Sequence, residues 1–292
     1  FFNVDYFISM DNYQLIPDNY IPKPFNPEHF IEASSDTSEN DAQFDTGFAS
    51  RFDPDFTKMN PDEIRKWTRE HNYAPAAITN EIFNCASHLF GGVLVLIGIV
   101  VLVSLADSTI KMVSFIIYGI TTEMMLFGSA LHHGVGLHWG ISIKLYRALR
   151  LVDHEGIFFV IAGTLTPFAL VTVGGSLGIT ITVYMFFVMF CGVTMKLILR
   201  HTVNQNIFNF LYLLMGWSGI LLFKPIVDSQ GWGAISLVLG GGLAYTVGII
   251  FFTLEKPNPI PGYFCSHEIW HCFVLLGVVL HFLAHLIYTE FK

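Results

Sequence analysis

Long apolar stretches recur through about the last three quarters of the chain, and short charged segments separate them. Each stretch has about 20 residues, the length that a helix needs to cross the hydrocarbon core of a bilayer. The pattern therefore predicts an all-α membrane protein, a bundle of seven transmembrane helices in a domain that covers residues 81–292. The predicted spans are residues 85–105, 112–133, 154–173, 177–195, 207–224, 234–254 and 269–288.

The residues before the first span have a different character. Residues 1–59 are rich in Asp, Asn, Pro and Ser and show no sustained apolar period, so we expect an acidic, disordered tail. Asn60 and Pro61 are typical of a helix start, and they predict an amphipathic juxtamembrane helix and linker over residues 60–80. A plain connector is the alternative interpretation of that segment.

Composition and charge support the membrane assignment. Hydrophobic residues make up 53% of the chain and charged residues only 13%, against roughly a quarter in soluble domains. Residues 1–80 hold 14 Asp and Glu but 6 Lys and Arg, whereas the rest holds 9 of each, so the net charge of −8 belongs to the N-terminal segment. This balance excludes a basic nucleic-acid-binding surface, which needs clustered cations.

Lys and Arg also indicate how the bundle lies in the membrane, because cytoplasmic segments carry an excess of them. Ten Lys and Arg residues lie on one side of the membrane in the predicted arrangement and three lie on the other. This asymmetry predicts a cytoplasmic N-terminus and a C-terminus outside. The sequence leaves open whether this integral multi-pass protein lies in the plasma membrane or the Golgi. The ten are Lys58, Arg65, Lys66, Arg69, Lys144, Arg147, Arg150, Lys196, Arg200 and Lys256, and the three are Lys111, Lys224 and Lys292.

Four residues of metal-ligand type are expected at one depth, near the cytoplasmic ends of the spans. His133 ends the second span, Asp153 precedes the third, and His267 and His271 open the seventh. The spacing of four places His267 and His271 on one helix face, as zinc binding requires. For this pair alone, polar packing is an equal alternative. A third histidine at the same depth favours an open zinc site, with three protein ligands and a water.

Two further residues are candidates for catalysis at such a site. Ser129 lies one turn before His133 on the same face, where its hydroxyl could hold a water or a substrate carbonyl; a bond to its own helix backbone is the alternative. Asp153 could orient or deprotonate the water, and as a residue just before a helix it could also be an N-cap. The two roles of Asp153 are compatible.

Several other polar residues lie near the expected layer. Glu81, His88, His132 and His154 are candidates to support the ligands. His281 and His285 repeat the same spacing, but they lie about 15–20 Å further along the last span, and we interpret them as cavity-lining or packing residues.

Five motifs follow one another over the seven spans. They are EIFNCASH at 81–88, SALHH at 129–133, LVDHEGIFFVIAGTLTP at 151–167, GGLAYTVG at 241–248 and HEIWH at 267–271 with the following His281-Phe282. These motifs resemble those of the progestin and adipoQ receptor (PAQR) and hemolysin III family. The pair Asp153-His154 is closer to the hemolysin III and monocyte-to-macrophage differentiation branch.

The resemblance implies a seven-helix fold with a cytoplasmic N-terminus and a Zn²⁺ ion near the cytoplasmic face. The family's histidine ligands correspond to His133, His267 and His271, and its catalytic Asp and Ser to Asp153 and Ser129. Because the family is related to alkaline ceramidases, the resemblance also implies hydrolysis of a lipid amide or ester.

Three functions are compatible with these residues. One is a ceramidase-like zinc hydrolase, and another is a signalling receptor or scaffold in which the zinc is structural. The least supported is a pore-forming haemolysin, because no predicted span carries a regular polar stripe away from the metal layer. The expected partners are membrane lipids, a lipid or hormone ligand and cytoplasmic signalling proteins that bind the N-terminal tail; nucleic acid is not expected.

Overall fold

Helices make up nearly all of the part of the chain that the structure describes. The structure is a computed structural model, and it describes residues 80–135, 143–199, 204–260 and 263–290. The predicted tail at 1–59 and, apart from Asn80, the predicted helix and linker at 60–80 lie outside the described residues.

Eight α-helices follow one another within the described ranges. They are α1 (Glu81–Leu105), α2 (Thr109–Val135), α3 (Ile143–Pro167), α4 (Gly175–Leu199), α5 (Gln205–Trp217), α6 (Phe223–Gln230), α7 (Trp232–Leu254) and α8 (Ser266–Ala284). A 3₁₀ segment, Ser218–Leu222, joins α5 to α6, and π-helical turns extend α3 over Phe168–Val173 and α8 over His285–Glu290.

Seven of these helical stretches are long and apolar enough to cross a membrane, with α5 and α6 forming the fifth together. They are Glu81–Leu105, Thr109–Gly134, Ala148–Val173, Gly175–Leu199, Gln205–Gln230, Trp232–Leu254 and Ser266–Thr289. The prediction of an all-α bundle of seven transmembrane helices is confirmed.

The start of the third span was predicted wrongly. Helix α3 begins at Ile143, ten residues before Asp153, so Asp153 lies inside the helix and is not its N-cap. The first turns of α3 carry Lys144, Arg147 and Arg150, which are too polar to count as membrane span but which favour helix as strongly as Leu does. Hydropathy therefore located the apolar part of this helix and missed its beginning.

The interior of the bundle is closely packed, and its outer faces are apolar. Phe158 and Phe168 are among the residues buried in the main hydrophobic cluster, whereas Val183 on α4 is 63% exposed, as expected of a side chain that faces lipid. At Gly163 of α3, an added Cβ would lie 1.7 Å from the Thr121 hydroxyl oxygen of α2. Only glycine permits this approach of α2 to α3, and these two helices carry His133 and Asp153.

Candidate metal centre

The end of α2 and the start of α8 bring three histidines together. Each of His133, His267 and His271 offers a ring nitrogen, and these nitrogens lie within 4.8 Å of one another. The Nε2 atoms of His133 and His267 are 3.4 Å apart. Two nitrogens bound 2.0–2.1 Å from a tetrahedral zinc would be about 3.3 Å apart, so the residues present fit this ion.

Helix α1 orients two of these imidazoles. The Nδ1 atom of His133 lies 2.5 Å from the Glu81 carboxylate oxygen, so Nδ1 carries the proton and Nε2 keeps the lone pair that a metal needs. The Ser87 hydroxyl lies 3.3 Å from His271 Nδ1, and the His88 ring stacks on His271 with centroids 3.8 Å apart. Glu81 and His88 were predicted near this layer; Ser87 was not singled out.

Glu268, between the two histidines of α8, holds the start of α8 to the start of α1. Its carboxylate is fully buried and accepts three hydrogen bonds, from the backbone N–H of Asn80 (2.7 Å), the Asn84 side-chain amide (3.1 Å) and the backbone N–H of Cys265 (2.6 Å). Sequence reasoning missed this role. The available signal was a polar stripe on an apolar helix, since Glu81, Asn84 and His88 lie on one face of α1.

The structure also brings both candidate catalytic residues to the cluster. The Ser129 side chain is close enough to the Asp153 carboxylate to interact with it, and both residues line the cavity described below. Ligand atoms of His132, His133 and Asp153 form a second group within 4.8 Å of one another. This group shares His133 with the first, and one neutral imidazole has a single lone pair for a metal. A single ion at His133 could therefore be held by only one of the two groups, and the three-histidine group is the one that offers three imidazole nitrogens.

A buried lysine, Lys196, lies near Asp153. From the sequence alone, Lys196 was expected to be only a charge at the cytoplasmic end of a span. Lys196 is 3% exposed, and its ammonium group donates to the hydroxyl of Tyr212 (2.8 Å), to His154 Nδ1 (3.2 Å) and to the side-chain oxygen of Gln205 (3.3 Å). The Tyr212 hydroxyl in turn donates to the His154 carbonyl oxygen (3.0 Å). These contacts tie α3, α4 and α5 together next to Asp153.

A cavity extends from the histidine cluster along α8. Ser129, Asp153, His267 and His271 are among its lining residues at one end, and His281 lines the other. The ten residues from His271 to His281 correspond to about 15 Å along the helix. The cavity has a volume of about 140 Å³.

The walls of this cavity are mostly apolar between its two ends, and they include Ile157, Val160, Ile161, Ile249 and Val274.

The cavity also reaches the lipid-facing side of the bundle, beside α5 and α7. Gly216 and Ile220 line the cavity there, and both are exposed. Gly242 lines it from α7, and no atom from outside α7 lies within 4 Å of the position that a Cβ would take. The Trp217 indole of α5 donates to the Thr246 hydroxyl of α7 (3.1 Å), and both residues also line the cavity.

Fold and site together define an integral multi-pass membrane protein with a buried histidine cluster at one end of an apolar cavity. The family model described as Haemolysin-III related matches residues 76–282. The chain belongs to this family, which is part of the PAQR group, and the resemblance drawn from its motifs is confirmed.

Similar proteins come from bacteria and from mammals. Hemolysin-3 of Bacillus cereus is 31% identical over 216 residues, which are 73% of this chain and 93% of that protein. The Hemolysin-3 homolog of Bacillus subtilis is 34% identical over 216 residues, 72% of this chain and 95% of that protein. The Monocyte to macrophage differentiation factor of Homo sapiens is 26% identical over 201 residues, 69% of this chain and 81% of that protein.

Proposed function

We propose that this protein is a zinc-dependent hydrolase that cleaves an amide or ester bond of a membrane lipid. One observation carries the proposal: the histidine cluster, Asp153 and Ser129 all lie at one end of an apolar cavity. Structural zinc sites usually have four protein ligands, whereas open catalytic sites have three. The described residues supply three histidines in the cluster.

Each residue at this end of the cavity has a distinct task in the proposed reaction. His133, His267 and His271 would hold the ion, and Glu81 and Ser87 would orient the first and the last of them. A zinc ion in such a site polarises a carbonyl group and makes a water more acidic.

Asp153 and Ser129 would handle the proton and the substrate carbonyl. Asp153 would take a proton from the attacking water and return it to the leaving nitrogen or oxygen, so that protons balance over one turnover. Ser129 would donate a hydrogen bond to the substrate carbonyl oxygen. Both residues line the same cavity as His267 and His271, which supports giving them tasks in one reaction.

The cavity supports a lipid as the substrate class. Its apolar walls match an acyl chain, and the exposed lining at Gly216 and Ile220 offers entry from the bilayer. A signalling receptor is the second candidate function, because the same cavity could hold a lipid or hormone ligand without cleaving it. A pore, which the names of the bacterial relatives suggest, gains no support from this apolar cavity.

Lipid hydrolysis by the purified protein tests the proposal. Full-length protein in lipid nanodiscs would be incubated with ceramides, with and without a zinc chelator, while free fatty acid and bound zinc are measured in the same samples. We expect fatty acid release that falls with bound zinc and returns when zinc is restored. Tight ceramide binding without any release would favour the receptor function instead.

A further inference from the structure

The outer end of the cavity carries polar side chains that the proposed chemistry does not use. Tyr245 of α7 and His281 of α8 both line the cavity there, and their ring centroids are 5.6 Å apart. A Cβ on Gly277 of α8 would lie 2.6 Å from the Tyr245 ring, so the close approach of α7 and α8 holds this ring in place. Tyr245 belongs to the GGLAYTVG motif, whose function the metal centre does not explain.

Two more polar side chains lie behind Tyr245 and His281. The Tyr118 side chain of α2 is near enough to Tyr245 to interact with it electrostatically, and the His285 ring lies 4.7 Å from the Tyr118 ring. We call Tyr118, Tyr245, His281 and His285 the outer polar cluster. Tyr118 and His285 are at most 1% exposed.

Most of the hydrogen-bonding capacity of the outer polar cluster is unused. His281 Nε2 donates to the Val238 carbonyl oxygen (3.2 Å). The Tyr245 hydroxyl has no hydrogen-bond partner among the described residues. The Tyr118 hydroxyl and the His285 ring have only the Thr122 side chain and the Thr164 backbone nearby, and neither makes a well-formed hydrogen bond there. A buried polar group without a partner destabilises the fold, and at membrane depth no lipid tail can satisfy it. Folding alone does not account for this cluster.

We propose that the outer polar cluster is a second recognition site, where Tyr245 hydrogen-bonds an uncharged polar group on the chain of the bound lipid. This inference rests on the proposed function, in which the lipid carbonyl lies at the metal centre. The polar group would then lie about 15 Å from that carbonyl, the helical distance between His271 and His281. The corresponding ligand class is a lipid with a hydroxyl or keto group in the middle of its acyl chain.

An uncharged group fits this cluster better than an ionic one. None of its four members is an acid, a lysine or an arginine, and an unpaired ion would be costly to bury there. One carboxylate, that of Glu123, interacts with Tyr118. The Glu123 side chain faces α1, since a Cβ added to Gly92 would lie 3.2 Å from the Glu123 carboxylate oxygen. A phenol and an imidazole can each pair with a hydroxyl, and the phenol can also donate to a carbonyl.

The test compares three ceramides that differ only in their stearoyl chain. One has no hydroxyl, one has a hydroxyl on the twelfth carbon, and one has it on the second carbon as a control of equal polarity. Binding would be measured in nanodiscs by displacement of a fluorescent ceramide, with Asp153→Asn protein so that nothing is cleaved. Tyr245→Phe removes only the hydroxyl, and Tyr184→Phe, on the lipid-facing side of α4, is the matched control.

We expect the lipid with the hydroxyl on the twelfth carbon to bind about tenfold more tightly than the other two, the effect of one hydrogen bond to a buried partner. Tyr245→Phe should abolish this preference, and Tyr184→Phe should keep it. Tyr245→Phe should not lower the melting temperature, because the hydroxyl that it removes stabilises nothing in the free protein.

The outcomes separate this inference from the proposed function. Equal binding of all three lipids would overturn the second site and leave the hydrolase proposal in place. A preference that survives Tyr245→Phe would overturn the assignment to Tyr245. If no ceramide displaces the probe, the proposed function and the second site both fail.

Discussion

The carboxylate of Glu81 lies 2.5 Å from Nδ1 of His133, across 52 residues of sequence. This contact joins the first turn of α1 to the last turns of α2 and directs the other ring nitrogen of His133 towards His267. Helix α1 supplies none of the three histidines, yet its residues contact and orient two of them, His133 and His271.

Replacement of Glu81 by Gln should weaken zinc binding without preventing folding. The amide keeps the shape of the side chain but removes the charge that makes the His133 imidazole a stronger ligand, and loss of such a partner typically costs 10–100-fold in metal affinity. Competition with a chelator of known affinity measures the change. Asp228→Asn, an exposed acid paired with Lys224, is the matched control. Equal zinc affinity in both variants would show that Glu81 has no part in the centre.

Replacement of Asp153 by Asn should abolish hydrolysis while zinc stays bound. An amide cannot take the proton from water, and loss of a general base typically costs about 10²–10⁴-fold in rate. Because Asp153 lies inside α3, the change leaves the end of that helix unaltered. Fatty acid release and zinc content would be measured on the same sample. Loss of zinc together with activity would instead make Asp153 a ligand or an anchor of the ligands.

Replacement of Gly242 by Leu should block the cavity without disturbing the bundle. No atom from outside its own helix lies within 4 Å of its Cβ position, and the residue lines the cavity, so the new side chain would occupy the space proposed for the lipid. We expect at least a tenfold loss of ceramide binding, with unchanged zinc and melting temperature. Leu243→Phe, on the lipid-facing side of the same helix, should bind as the wild type does. Normal binding by Gly242→Leu would contradict the assignment of this cavity.

The N-terminus should lie in the cytoplasm and the C-terminus outside, as the excess of Lys and Arg predicts. Glycosylation tags placed near residue 40 and after Lys292 would show which end reaches the lumen of the secretory pathway. Modification of the tag after Lys292 alone is the expected result. The opposite pattern would place the histidine cluster at the outer face of the membrane.

Sequence alone predicted the bundle and the members of the cluster because both depend on position along a helix. Blocks of apolar residues set the number of spans, and depth in the membrane placed His133 level with His267 and His271. These signals depend only on nearby residues. The predicted span boundaries differ from the observed helix ends mainly where polar residues continue a helix, as at the start of α3.

The contacts of Glu268 and Lys196 could not be predicted in the same way. Glu268 bonds to Asn80 and Asn84 only because α1 and α8 begin side by side, and Lys196 is buried only because α5 brings Tyr212 against it. The rotation of each helix and the choice of its neighbours decide such contacts. A lysine near the end of a span otherwise indicates a flanking charge.

Zinc content of the purified protein tests the central claim most directly. Wild-type chain, His133→Ala and the double variant His267→Ala with His271→Ala would be analysed by metal mass spectrometry, with Cys272→Ala, an exposed neighbour on α8, as the control. We predict about one zinc per chain in the wild type and the control, and almost none in the histidine variants. Full zinc occupancy without His267 and His271 would contradict the account.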